Sequence, residues 1–173
     1  MTPAEQRQLA GIRAELSRVA RYDDESIVND KWVRQRYDCG CFPSFAPARK
    51  AAVRAAWHEA GHAVAALEVG ARFSSASIHH GCRTEGRVHG IRGASELAFV
   101  IDAAGQIAER LRDWTMLERD DELRAWRYSE AALVPLRPKI AQVARALLVH
   151  PRYLPCCVVA AIAADRPVTG AAR

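Results

Sequence analysis

The chain has 173 residues and a net charge of +5, enough for one domain, or one domain with a helical arm, that needs no disulfide or metal to fold. Half of the residues are hydrophobic and 26% are charged, which excludes a disordered or low-complexity chain. No apolar run reaches the ~20 residues of a membrane span, and the positive charge is mostly arginine spread singly along the chain, which argues against nucleic acid as the main partner.

The N-terminal residues lack the basic-then-apolar pattern of a signal peptide, so the expected location is cytoplasmic. Thr2 and Pro3 read as the cap and first turn of a helix, and Leu9, Ile12, Leu16 and Val19 repeat at helical spacing, which predicts an amphipathic helix over 3–21. Residues 22–47 are irregular and rich in turn formers, and are expected to form a connecting arm. The domain boundary is placed near 48: 1–47 as helix and arm, 48–173 as the main domain. The alanine-rich stretch 48–69 predicts a long helix, with Gly70 placed to end it. Residues 73–79 and 87–91 read as two strands around a turn bracketed by Gly81 and Gly86. A helix capped by Ser95 should run to Arg112, with further helices over 120–133, from Pro138 to His150, and over 154–164. This order is α+β, mainly helical, with a short β-ribbon and a helical C-terminal half.

Five cysteines, Cys39, Cys41, Cys82, Cys156 and Cys157, do not suggest a disulfide framework, because the count is odd and no export signal precedes them. Cys39 and Cys41 could form half of a metal site, but no second pair stands at zinc-finger spacing. Cys156 and Cys157 fall in an apolar run and read as small core residues.

The long helix contains His58-Glu59-Ala60-Gly61-His62, the HExxH pattern of a zincin-like helix. Positions four apart differ by only ~40° around a helix, so both imidazoles can reach one zinc ion. Glu59 adjoins the first ligand and is placed to take a proton from water activated there. The flanking Trp57, Ala60, Ala63, Val64 and Leu67 are apolar, which predicts a largely buried helix, where unpaired His and Glu would be costly. A third ligand must come from elsewhere. Glu96, Asp102, Glu109, Asp113, Glu118, Asp120, Asp121 and Glu122 are candidates, and spacing does not choose among them. Glu68 stands where a metzincin would carry its third histidine.

The segment 55–67, with its His-Glu-Ala-Gly-His-Ala core, resembles the active-site helix of the zinc peptidase domain in FtsH-type AAA proteases. Ser77 to Gly81 followed by Gly86-Arg87-Val88, the Ala104-Gly105…Ala108-Glu109 helix, Asp121…Ala125, and 140–148 with Leu154 resemble later parts of that domain. The resemblance covers about 50–164 and leaves out the family's ATPase module and membrane anchor. It implies a zinc metalloendopeptidase with His58, His62 and Asp121 on the metal, Glu59 as general base and Glu109 near the zinc shell. It further implies that a substrate strand pairs with the edge at Arg87, Val88 and His89. Asp121 is favoured because Ala125 then falls at the family spacing, but Asp120 and Glu109 remain open as the third ligand.

The expected partner is a peptide or protein substrate, presented by a separate unfoldase or belonging to one dedicated partner. The rival readings are a non-catalytic zinc-containing adaptor or regulatory module, and a nucleic-acid-associated protein of a mobile element using helix 3–21. His79 and His80 read as turn residues with an option on the cleft. His150 reads as a cation at a helix C-terminus.

Overall fold

The computed structural model describes residues 1–28, 44–78, 86–93, 96–113 and 124–165. Helix α1 (Pro3–Arg18) starts where the sequence predicts. The Thr2 hydroxyl accepts from the Glu5 N–H at 3.3 Å, and the Glu5 carboxylate accepts from the Thr2 N–H at 2.5 Å, a reciprocal capping box. It ends three residues earlier than the periodicity suggests, at the Val19 cap.

Helix α2 (Phe45–Glu68) is the centre of the molecule. Alanine at 48, 52, 55, 56, 60, 63, 65 and 66 favours the helix and lets neighbours approach on several sides; all eight are buried. The helix stops at Gly70, whose φ of +74° suits a residue without Cβ. Gly70 N–H bonds Leu67 O at 3.1 Å and Ala71 N–H bonds Ala66 O at 2.8 Å, the Schellman pattern that satisfies the last carbonyls.

Strands β1 (Ser75–Ser77) and β2 (Arg87–His89) follow, then α3 (Ala98–Asp113), α4 (Arg124–Leu133), a 3₁₀ turn (Val134–Leu136), α5 (Arg137–Val149), β3 (Leu154–Pro155) and α6 (Cys156–Ala164). The molecule is mainly helical with one small antiparallel sheet of order β2-β1-β3. Ala76 pairs with Val88 on one side and with Leu154 on the other. The third strand is not expected from the sequence, where 154–164 reads as one helix. Its two residues lie in a continuous apolar run that carries no alternation. Pro155 fits there because β3 is an edge strand. The β1–β2 ribbon is shorter than predicted, since Gly90 and Gly93 take φ of +66° and +86° and redirect the chain. Ser95, Cys39, Cys41, Cys82, His79 and His80 lie outside the described residues.

Helix α2 packs most extensively on α3, then on α5, while α1 lies across α5 and α6. Leu9 and Ile12 of α1, with Val19, Ile27 and Val28 after it, are buried in the same core as Val64, Ile107, Leu147 and Ile162. Asp24 accepts from the Trp57 indole at 2.8 Å and so fastens the arm to α2. Cys156 and Cys157 open α6 half-buried, not within the core as expected, and their thiols are free. Among the described residues no helix is long and apolar enough to cross a membrane.

Candidate metal centre

The α2–α3 contact builds the site. At Gly61 an added Cβ would lie 2.4 Å from the Ala104 carbonyl oxygen and 2.6 Å from the Ala108 methyl. Three small residues therefore bring the two backbones unusually close. Two rows at four-residue spacing face each other across this contact: Arg54, His58 and His62 on α2, and Ile101, Gly105 and Glu109 on α3. The pairings run antiparallel. Nδ1 of His58 lies 2.6 Å from Oε1 of Glu109, and Nδ1 of His62 lies 2.6 Å from the carbonyl oxygen of Ile101. Arg54 Nε stands 3.3 Å from the other Glu109 oxygen.

These partners decide where the imidazole protons sit. A carbonyl oxygen only accepts, so the His62 Nδ1 must donate. The Glu109 carboxylate, beside Arg54, also accepts, so the His58 Nδ1 donates. Both Nε2 atoms then carry lone pairs, and they face each other at 3.0 Å. Two acceptors at that distance repel unless a shared electrophile lies between them. A proton is one option, although burial, followed by the neighbouring His58, pushes the His62 imidazole below its ordinary pKa. A metal ion is the other. Two nitrogens on a tetrahedral zinc at 2.0–2.1 Å sit about 3.3 Å apart, close to the spacing found. The donor set thus fits zinc: two imidazole nitrogens that converge on one point, each ring with its second nitrogen anchored.

Glu59 is buried, at 6% exposure. Its carboxylate lies under Gly86, the residue before β2. A Cβ there would come within 2.4 Å of Glu59 Cγ and 2.9 Å of Cδ and Oε1. The backbone entering β2 therefore rests directly on this acid. Arg87, Val88 and His89 form β2 itself, at one edge of the sheet among the described residues, with Arg87 exposed and the other two half-buried. The His89 carbonyl is turned to Ser74, accepting its N–H and its hydroxyl, each at 2.8 Å.

Among the described residues no third His, Cys, Asp or Glu joins His58 and His62 in a metal-binding group. Glu109 meets His58 at Nδ1, on the far edge of the ring from Nε2. Asp120 and Asp121 lie outside the described residues. Sequence reasoning missed the Ile101 carbonyl and Arg54, and named Gly86 and Gly105 only within the motifs of the resemblance, without their contacts to Glu59 and the imidazoles. The spacing of 101, 105 and 109 against 54, 58 and 62 was the available signal. Comparison with family models, with curated proteins and with solved structures found no match for the chain.

Proposed function

We propose that the chain is a zinc-dependent metallopeptidase of the FtsH type, with a zincin-like site and His58, His62 and Asp121 as the metal-holding residues. The observation that carries the reading is the convergence of the two Nε2 atoms, 3.0 Å apart, with each Nδ1 held by an oxygen on α3. When bound, zinc supplies Lewis acidity that makes water a usable nucleophile near neutral pH. Glu59 would accept a proton from the attacking water at its carboxylate and return it to the leaving amine. Its burial excludes competing bulk water, and Gly86 keeps it fixed. Glu109 and the Ile101 carbonyl hold the two imidazoles in the tautomer that leaves Nε2 open.

The proposed substrate is an extended peptide that pairs with β2, an edge strand among the described residues, at Arg87–His89. That geometry needs unfolded chain, so flexible segments, or proteins opened by a separate unfoldase, are the proposed substrates, in the cytoplasm. An intact buried Glu59 beside the histidines favours turnover over a purely structural zinc, which has no use for a base.

The test is metal analysis and hydrolysis of a broad fluorogenic peptide library by the parent and Glu59→Gln. Both should hold one zinc per chain, and the variant should lose roughly a hundredfold to ten-thousandfold in rate. A parent without zinc, or a variant as fast as the parent, would overturn the reading. Zinc in both with hydrolysis in neither would shift it to the adaptor module.

A further inference from the structure

Gly105 stands in the middle of α3, a regular helix of 16 residues. Its backbone does not require glycine, since the positive-φ glycines are Gly70, Gly90 and Gly93. Alanine would form this helix more readily. The reason for glycine lies outside the helix. A Cβ at 105 would sit 2.5 Å from Nε2 of His58, 2.5 Å from Nε2 of His62 and 2.6 Å from Cε1 of His58. All three nearest atoms belong to the imidazoles, and none to backbone. Gly61 differs, because a Cβ there would strike the Ala104 carbonyl.

We propose that Gly105 is a positioning residue of the metal centre, its missing side chain reserving the volume against which both ligand nitrogens converge. The proposal rests on the zinc reading above. An imidazole ring is the far end of a rotatable side chain. A methyl group at 105 would therefore turn the rings and leave the helices where they are. Turning either ring moves its Nε2 off the shared point or strains its Nδ1 bond to Glu109 or Ile101. The same volume also forms a wall. With α3 this close beneath the nitrogens, a further ligand and any substrate must approach from the side away from α3.

The experiment uses the full chain as parent, Gly105→Ala, Gly105→Ser and, as a control, Gly11→Ala, whose added Cβ meets nothing within 4 Å. Each is stripped of metal, titrated with Zn2+ against a chromophoric chelator, and titrated with Co2+ for its ligand-field spectrum. Circular dichroism and thermal unfolding follow the fold. The expected result for both 105 variants is a retained fold, a zinc affinity lowered roughly ten- to a hundredfold, and an altered cobalt spectrum. The control should keep the fold and match the parent in zinc affinity and cobalt spectrum. Parent-like zinc affinity and cobalt spectrum in Gly105→Ala would overturn the proposal. So would loss of the fold in both 105 variants, since the added atoms would then be moving helices and not rings. A parent that takes up no zinc would sink the zinc reading itself, and this role with it.

Discussion

The two histidines do not act through their own chemistry alone; what bonds their outer nitrogens decides what their inner nitrogens can do. Glu109 is the test case. Its carboxylate holds the His58 Nδ1 proton and faces Arg54. Glu109→Gln keeps an acceptor oxygen but removes the charge that fixes the tautomer. Zinc affinity should fall by roughly ten- to a hundredfold with little change in stability, read by chelator competition and urea unfolding. An unchanged affinity would show that the carboxylate is a surface partner of Arg54 only. Much of this was legible in the sequence. His58, Glu59 and His62 declare themselves by spacing, and Glu109 by the resemblance at 104–109. The Ile101 carbonyl was not legible, because any residue type presents a backbone oxygen. Gly86 and Gly105 stand in the motifs of the resemblance, but what they do was hidden for the opposite reason: their contribution is an atom they lack.

At the level of elements, α2 was the most readable part of the chain and β3 the least. A long alanine-rich segment closed by a glycine has one strong interpretation. Two residues that join a sheet before a helix have no periodicity to detect. The α2–α3 crossing was also out of reach, since glycine inside a helix signals only a cost until its neighbour is known. That crossing yields a contrast between two glycines in helices. Gly61→Ala puts a methyl 2.4 Å from the Ala104 carbonyl oxygen, so the helices must separate. The expected loss is ~1–3 kcal/mol, with zinc affinity falling too as the two Nδ1 bonds stretch. Gly11→Ala, on the exposed face of α1, should instead gain about 0.5–1 kcal/mol from helix propensity. Denaturant unfolding of the two variants checks both signs. Equal stability of Gly61→Ala and parent would mean that the crossing tolerates more room than its contacts indicate.

Over the whole molecule, the amphipathic pattern of α1 announces a face to bury but not its partner. The structure sets that face on α5 and α6, and ties the far end of α5 to it. The Gln8 side-chain amide donates to Nε2 of His150 at 2.9 Å and to the Tyr153 carbonyl at 2.7 Å. The sequence suggests a cationic His150 stabilising the helix C-terminus. It does cap α5, but burial pushes its pKa below the ordinary value, and a donor already occupies Nε2. Desolvation of the ring disfavours its charged form. A histidine whose folded pKa is lowered contributes stability that is fully present above the unfolded value of about 6.5 and is lost as pH falls through the folded value. The parent should therefore lose stability between pH 7 and 5 more steeply than His150→Gln, measured by urea midpoints in metal-free protein. Identical slopes would remove His150 from the acid response.

The glycine before β2 carries a consequence for recognising kindred chains. The surroundings of Glu59 and of the two imidazoles are defined by what is missing at 86 and 105 as much as by the groups present. A fingerprint can be written from this: His-Glu-x-x-His, a glycine opening the next edge strand, and Gly-x-x-x-Glu on the following helix. Each term answers to a distance in one site, so the fingerprint demands geometry and not overall likeness. Distant sequences sharing it would be candidates for the same chemistry even where whole-chain similarity has faded.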